Sequence, residues 1–375
     1  MNLNIQMVDT KSQFLKIKDE IYKGFDDVFE SSQFINGKQV KEFTEALKTF
    51  TRSNHIIPCA NGTDAIQVAL MALGLEPGDE VIVPTWTYVA TAEVIALLRL
   101  KPVFIDADYF SFNIDVNKIE EKITSKTKAI VPVHLYGQTC EMEKIMELAK
   151  KYNLFVVEDT AQAIGSEYTF SDGAVKQAGT IGNIGTTSFY PSKNLGAYGD
   201  GGAIYTNDDD LAVRLKGICH HGELGVKYYH DIVGCNSRLD TLQAVILNAK
   251  IKRLKDYETS RNKVADFYVN ALKEIDWIET PFRSKNSTHV FHQYTMKIKN
   301  GKREALKTYL QEKEIPSMIY YPMPLHFQKA YSMHYNASYD LSVSEKLSKE
   351  VLSLPIHTEM TESQLHYIVE TIKNF

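Results

Sequence analysis

Long apolar runs are missing from this sequence. Stretches such as residues 94–98 fall far below the about 20 residues that a helix needs to cross a bilayer. Residues 1–5 also lack the basic segment and apolar core of a secretory signal. We therefore expect a cytoplasmic protein that has no association with a membrane.

Cysteine is scarce as well, with four residues in a chain of 375. The four are widely spaced and form no C-x-x-C pair, which favours structural burial over disulfides or metal ligation. They are Cys59, Cys140, Cys219 and Cys235. His220 and His221 are adjacent and lack the i, i+4 spacing of helix-borne zinc ligands. No metal site is predicted.

An excess of positive charge is also absent. The formal net charge is −5, which argues against a nucleic-acid partner. The basic residues of 250–255 lie in a helical pattern and are interpreted as a solvated helix face. Because no strand is followed by G-x-G-x-x-G and no Walker loop occurs, a dinucleotide site and a P-loop are excluded.

The chain does contain enough apolar material for a large core, with 44% hydrophobic residues. Short apolar runs alternate with helical patterns from residue 56 to residue 206, which predicts βαβ units. The predicted strands are 56–60, 80–84, 103–106, 129–133 and 154–157, and the predicted helices between them include 65–73 and 91–98. This pattern indicates an α/β fold with a mostly parallel central sheet flanked by helices.

After residue 240 the pattern changes. It predicts one long helix to about residue 270, a strand over 290–299 and a helix over 344–351. We therefore expect a large domain over residues 1–250, which includes an N-terminal helical segment, and a smaller C-terminal α+β domain over residues 251–375.

Lys193 is the most informative residue. It lies in a loop with Pro191 before it and Gly196 and further glycines after it, and such constrained loops usually serve a ligand. Asp159 ends an apolar strand thirty-four residues earlier. A lysine can condense with a carbonyl, and a distant carboxylate can keep a pyridine nitrogen protonated. The pair therefore indicates pyridoxal phosphate (PLP).

Other strand ends add weaker signals. Residues 61–64 form either a phosphate site at a helix start or a plain turn. Trp86 offers a flat face to an aromatic ring, although an isolated tryptophan is more often a core residue. Gln162 is placed to hold a cofactor oxygen or to pack against the ring, and Ser188 to add a hydroxyl to the phosphate.

Six segments together resemble the DegT family of PLP-dependent sugar-nucleotide aminotransferases. They are NGTDA at 61–65, PTWTYVAT at 84–91, VHLYGQ at 133–138, EDTAQA at 158–163, the glycine-rich segment 188–202 and GCNSRLD at 234–240. The resemblance covers nearly the whole chain. It implies a fold-type I PLP-dependent aminotransferase that is a homodimer, with active sites shared between the subunits.

The resemblance also implies roles for individual residues. Lys193 would form the Schiff base and shuttle the proton, and Asp159 would hold the pyridine nitrogen. The remaining cofactor residues would be Gly62, Thr63 and Ser188 at the phosphate, Trp86 stacked on the ring, Gln162 near the cofactor oxygen and Asn236 at the neighbouring subunit's phosphate. The substrate residues would be Arg238, which approaches the neighbour's sugar nucleotide, with Tyr320, Tyr321 and His326. The alternative for residues 236–240 is a helix cap.

The implied reaction moves an amino group from L-glutamate to a keto group of a nucleotide-linked sugar. Segments 289–294 and 320–326 are most similar to enzymes that aminate C3 of UDP-2-acetamido-2-deoxy-3-oxo-glucuronate for surface polysaccharide. Tyr320 stands where that branch has histidine, which removes a possible cationic partner for the uronate. The alternatives are a dTDP-linked 3-keto-6-deoxyhexose, a 4-keto sugar, or a regulatory module that binds PLP without turnover.

Overall fold

The computed structural model describes residues 4–332 and 340–375. The strands are β1 (His55–Cys59), β2 (Glu80–Pro84), β3 (Lys101–Ile105), β4 (Thr127–Ile130), β5 (Phe155–Asp159), β6 (Glu167–Thr169), β7 (Val175–Gln177), β8 (Ile184–Ser188), β9 (Gly202–Thr206), β10 (Ile278–Glu279), β11 (Tyr294–Ile298) and β12 (Val351–Leu354).

The helices of the described residues are α1 (Thr10–Leu15), α2 (Lys18–Ser31), α3 (Lys38–Thr51), α4 (Gly62–Ala72), α5 (Ala90–Leu97), α6 (Met142–Tyr152), α7 (Asp209–Cys219), α8 (Thr241–Ile251), α9 (Leu254–Leu272), α10 (Arg303–Glu312), α11 (Lys329–Ser332), α12 (Ser342–Glu350) and α13 (Glu362–Lys373).

The central sheet has seven strands in the order β1-β9-β8-β5-β4-β2-β3. Strands β3, β2, β4, β5 and β8 pair in parallel, and β9 is antiparallel to both of its neighbours. Strand β1 therefore runs in the same direction as β5 and β8, and all three end at one edge of the sheet. The predicted α/β fold with a mostly parallel sheet is confirmed, and this edge is where ligands of such sheets bind.

The local predictions differ from the structure mainly at strand ends. The predicted strand over residues 129–133 ends at Ile130 because its ladder with β5 stops at the pair Ile130 and Val156. A two-stranded ribbon, β6–β7, was not predicted. Neither were β8 and β9 individually, although they bracket the loop that carries Lys193.

Two predictions for the region after residue 240 are wrong. The single long helix is two helices, α8 and α9, separated by Lys252 and Arg253. Arg253 leaves helical geometry at φ −110° and ψ 1°, and its guanidinium donates to the carbonyl of Ala249 at 2.5 Å and to Glu20 at 3.1 Å. These bonds satisfy a carbonyl at the end of α8 that lacks a helical partner.

The second error concerns Lys250, which was assigned to a solvated helix face. Lys250 is 1% exposed, because α8 is enclosed by α2 and α3 on one side and by the loop after β8 on the other. A helix buried on most sides offers a lysine no solvated face.

A second, antiparallel sheet in the order β10-β11-β12 carries the C-terminal part of the chain. Its apolar side packs against α9, α10 and α13 through a separate core that includes Tyr268, Leu306 and Ile368. The domain boundary at residue 250 stays a prediction.

Asp106 joins this region to the central sheet. It follows β3, is fully buried, and accepts the backbone amides of Val343 at 2.9 Å and Ser344 at 2.8 Å in the first turn of α12. A carboxylate is stabilised there by the free amides and the dipole of the helix. The contact fixes α12 beside the edge of the sheet where β3 ends.

Among the described residues, none of the helices combines the length and apolar character that a membrane crossing needs.

Candidate active site

Asp159 is the last residue of β5 and lies at the ligand-binding edge. Successive strand side chains point to opposite faces, so Glu158 binds His134 on one face while Asp159 lies on the other. The Asp159 carboxylate accepts the hydroxyl of Thr91 at 3.0 Å and the amide of Ala161 at 3.0 Å. These two donors fix the orientation of a buried negative charge.

Lys193 lies in the connection between β8 and β9, which crosses the same edge. Burial of its amine lowers the pKa of Lys193 to about 8, and the charge of Asp159 acts in the opposite direction. The loop is closed by the Lys193 amide, which donates to the Tyr190 carbonyl at 2.8 Å, and by the Ala197 amide, which donates to the Phe189 carbonyl at 2.7 Å. The site thus holds an amine that deprotonates easily near a carboxylate.

The start of α4 has features that suit an anion. The Asn61 side chain caps the helix by accepting the Asp64 amide at 2.8 Å, while the amides of Gly62 and Thr63 have no acceptor within the helix. A Cβ at Gly62 would lie 2.6 Å from the Cβ of Ser188. Glycine is therefore required where the hydroxyl-bearing end of β8 meets the helix, and the arrangement suits a phosphate.

Gln162 links two parts of the site. Its carbonyl oxygen accepts the Tyr136 amide at 2.8 Å, and its amide donates to the Tyr321 hydroxyl at 3.1 Å. Trp86 is 1% exposed and meets Tyr321 edge to face, with ring centroids 6.1 Å apart. Trp86 is therefore a buried core residue, and its stacking on a cofactor ring stays a prediction.

Two predicted substrate residues adjoin this group. Tyr320 uses its carbonyl to accept the hydroxyl of Tyr136. His326 Nδ1 lies 2.8 Å from the hydroxyl of Thr85, and Nε2 faces the Glu345 carboxylate at 3.5 Å. Burial lowers the pKa of His326, and the Glu345 carboxylate acts in the opposite direction.

Asn236 and Arg238 lie on either side of Ser237, in a segment that contacts the start of α4. Asn236 is exposed and pairs through its backbone with His220. Between them, Ser237 donates to Asp64 at 2.6 Å and accepts the Ala60 amide at 3.0 Å, which fixes the segment beside α4. The predicted helix cap is not formed by side chains, because the N-cap of α8 is Asp240 and its carboxylate makes no capping bond.

Sequence reasoning missed His292 as a site residue. It is 8% exposed and its Nδ1 has no hydrogen-bond partner among the described residues. Burial lowers its pKa well below the ordinary histidine value, and the charges of Lys193 and Arg261 act in the same direction. His292 stands in the segment 289–294, which is similar to the 3-oxo-glucuronate branch of the family, and that similarity was the available signal.

The described cysteines and histidines do not form a cluster that could bind a metal ion. Cys59, Cys140 and Cys219 are buried and Cys235 is partly exposed, all as free thiols. Within residues 4–332 and 340–375, no group of three or more His, Cys, Asp or Glu side chains is placed to hold a metal ion.

The residues present fit PLP. The free amides of α4 and the Ser188 hydroxyl match a phosphate, the buried Asp159 carboxylate matches a pyridinium nitrogen, and the Lys193 amine matches an aldehyde. These three features lie along one edge of one sheet.

Known proteins with similar sequences cover the full length of the chain. The sequence model of the DegT/DnrJ/EryC1/StrS aminotransferase family matches residues 15–373. A protein of Geobacillus stearothermophilus named pleiotropic regulatory protein is 46% identical over 100% of this chain and 99% of its own. The UDP-2-acetamido-2-deoxy-3-oxo-D-glucuronate aminotransferase of Pseudomonas aeruginosa is 42% identical over 99% of this chain and 100% of its own. The dTDP-3-amino-3,6-dideoxy-alpha-D-galactopyranose transaminase of Aneurinibacillus thermoaerophilus is 41% identical over 99% of each.

Solved structures agree with this result. A DegT DnrJ EryC1 StrS aminotransferase from Brucella abortus superposes with a TM-score of 0.94 at 39% identity and covers 99% of both chains. NtdA from Bacillus subtilis, solved with bound cofactor PMP, has a TM-score of 0.88 at 34% identity and covers 96% of this chain and 82% of its own.

Proposed function

Because the chain belongs to the DegT/DnrJ/EryC1/StrS aminotransferase family, we propose that it transfers an amino group from L-glutamate to C3 of UDP-2-acetamido-2-deoxy-3-oxo-glucuronate. It is a sugar-nucleotide aminotransferase whose cofactor is PLP. The observation that carries this function is the pairing of Lys193, whose pKa burial lowers to about 8, with the Asp159 carboxylate that Thr91 holds.

PLP supplies an electron sink that makes a proton on the adjacent carbon acidic. In the proposed site Asp159 keeps the pyridine nitrogen protonated, with Thr91 orienting the carboxylate. Gly62, Thr63 and Ser188 hold the phosphate, and Trp86 and Gln162 position the ring.

Lys193 is the proposed acid–base. A lysine with a pKa of about 8 is divided between its neutral and charged forms near neutral pH, so its Nζ can accept a proton from one carbon and return it to another. His292 stays neutral beside it and adds no competing positive charge.

The proposed substrate is supported by the 42% identical Pseudomonas aeruginosa protein, whose name specifies a 3-oxo-glucuronate. The Aneurinibacillus thermoaerophilus relative, nearly as similar, is named for a dTDP-linked 3-amino-3,6-dideoxy sugar. Tyr320, Tyr321 and His326 are the proposed contacts of the sugar, and Arg238 of the neighbouring subunit is the proposed cation for a carboxylate. The product would enter a cell-surface polysaccharide such as the O-antigen of lipopolysaccharide.

A homodimer is part of the proposal. Tyr228, Tyr229 and Val233 are 76%, 68% and 84% exposed, and they lie three to ten residues before Asn236 and Arg238. A large exposed apolar patch is typical of an interface. If a second copy covers this patch, Asn236 and Arg238 of the first subunit would reach the active site of the second. We place the enzyme in the cytoplasm, where nucleotide-linked sugars and glutamate are made.

A regulatory role is the second candidate, because the Geobacillus relative is named pleiotropic regulatory protein. A regulator would bind PLP and show no turnover. A comparison of the wild type with K193A decides between the two. If the protein is an enzyme, the wild type shows cofactor absorbance and amino transfer, and K193A shows neither activity nor covalently bound cofactor.

The substrate is tested by incubating the enzyme with glutamate and a panel of keto sugars that differ in nucleotide and at C6, with product masses measured. Preferred turnover of UDP-linked 3-oxo-glucuronate supports the proposal. Exclusive turnover of dTDP-linked 6-deoxy sugars contradicts it. In that case R238M should keep wild-type turnover, because a 6-deoxy sugar has no carboxylate for Arg238 to bind.

A further inference from the structure

Lys250 carries a buried amine that the reaction described above does not use. Its Nζ donates to the carbonyl of Gly196 at 2.7 Å and lies 4.0 Å from the ring centroid of Tyr198. Its partners are thus a carbonyl and an aromatic face rather than a carboxylate. Both partners belong to the loop that carries Lys193.

This loop behaves as one closed unit. The Phe189 amide donates to the Gly201 carbonyl at 2.7 Å, in addition to the two bonds that close residues 189–197. A Cβ at Gly196 would lie 2.4 Å from the carbonyl oxygen of Pro191. Because the two arms of the loop touch there, a displacement of Gly196 is transmitted to Lys193.

Helix α8 holds the loop at two points. Besides the bond from Lys250, the side chain of Gln243 accepts the Tyr198 amide at 2.9 Å. Gln243 and Lys250 are seven residues apart, which places them on one face of the helix, two turns from each other. One rigid element therefore fixes a carbonyl and an amide of the same loop.

Packing alone does not account for a lysine at this position. Burial lowers the pKa of Lys250 to about 7, which shows that its charge is disfavoured there. A methionine would fill a similar volume without that penalty. The position of Lys250 in the last turn of α8 offsets part of this desolvation penalty, because the helix dipole favours a positive charge there.

We propose that Lys250 is a positioning residue, whose side-chain amine donates to the Gly196 carbonyl, holds it against α8 and so fixes the loop from which Lys193 acts. The inference rests on the proposed role of Lys193. A nucleophile displaced by about 1 Å loses up to about 100-fold in rate. Loss of the tether therefore lowers kcat and leaves sugar binding largely intact.

The test compares K250M with K297M. Lys297 is equally buried at 1% exposure, but it contacts Tyr109 and Glu279 and lies outside the Lys193 loop. Amide hydrogen exchange is measured on the apoenzyme, followed by kcat and KM of the loaded enzyme. We expect K250M to exchange about tenfold faster in residues 189–201 and to lose about 10- to 100-fold in kcat, with sugar KM changed less than about twofold. K297M should leave exchange in that segment unchanged.

The proposal is overturned if K250M has the same exchange rates in residues 189–201 and the same kcat as the wild type. Equal loosening of residues 189–201 in K297M also overturns it. If K250M fails to fold, K250R is measured instead, because arginine retains a hydrogen-bond donor. Wild-type exchange rates in residues 189–201 of K250R support the tether, and raised exchange rates there overturn it. The exchange measurement needs no cofactor. A wild-type protein without turnover would therefore refute the proposed function while leaving the tether testable.

Discussion

Gln162 and Tyr321 are joined by a hydrogen bond of 3.1 Å between the amide of one side chain and the hydroxyl of the other. Gln162 follows β5 of the central sheet, and Tyr321 belongs to a segment that pairs with β12 through Met318. The bond thus connects the seven-stranded sheet to the three-stranded sheet at the proposed cofactor site. Together with the Tyr136 amide, which donates to the carbonyl oxygen of the same side chain, it fixes the orientation of Gln162.

Removing the Tyr321 hydroxyl tests this connection. Y321F deprives the Gln162 amide of its acceptor, which costs about 1 kcal/mol. We expect about fivefold weaker PLP binding in an absorbance titration of the apoenzyme. Y320F is the control, because Tyr320 contributes its carbonyl rather than its hydroxyl to the bond with Tyr136. Equal weakening in both variants would show that the Gln162 bond has no special role.

Thr91 gives a second prediction. Its hydroxyl donates to Asp159 at 3.0 Å, and a hydrogen bond to a charged group contributes about 2 kcal/mol. T91V should therefore bind PLP about thirtyfold more weakly. T139V is the matched control, since the Thr139 hydroxyl is buried without a hydrogen-bond partner among the described residues. Unchanged PLP binding in T91V would refute the orienting role.

The amine of Lys193 should titrate with a pKa of about 8, because burial outweighs the opposing charge of Asp159. Acetylation of Lys193 in the apoenzyme, followed by mass spectrometry, should rise with pH and level off above about 8. In D159N the charge that favours the ammonium form is absent, so the midpoint moves to lower pH. A midpoint that moves upward in D159N would contradict the assigned cause.

Glu158 is predicted to matter for stability. It accepts the amides of Gly179, Ile181 and Gly182 at 2.9, 2.7 and 2.6 Å. His134 adds a fourth bond at 2.9 Å. E158Q places an amide among these donors and should lower the free energy of unfolding by about 3 kcal/mol.

Urea unfolding measures this effect, with E147Q as the control because Glu147 is exposed. The control should change the free energy of unfolding by less than about 0.5 kcal/mol. Similar stabilities for the two variants would show that the Glu158 network contributes little.

The fold was predictable where the pattern is local. Buried β-branched runs marked five strands of the central sheet, and the glycine-rich loop and Asp159 identified the cofactor. Thr91 escaped assignment because it lies 68 residues from Asp159, and only the sheet order brings the two together. The prediction that Lys250 is solvent-exposed was wrong. Its sequence neighbours resemble a solvated helix, while the loop that buries it lies about fifty residues earlier in the sequence.

The break between α8 and α9 had no sequence signal, since neither proline nor glycine occurs there. It is produced by the Arg253 side chain, which bonds to Ala249 and Glu20. A tertiary contact with the N-terminal helix α2 thus decides a local boundary.

The anion site has a consequence for protein synthesis. Its two halves, Gly62 and Ser188, are 126 residues apart in the chain, and β9 must insert between β1 and β8 before they meet. At about 5–20 residues per second, a ribosome needs roughly 6–25 s to deliver the second half. The proposed phosphate site is therefore complete only after about 200 residues have been synthesised, and a shorter nascent chain has the helix end without its partner hydroxyl.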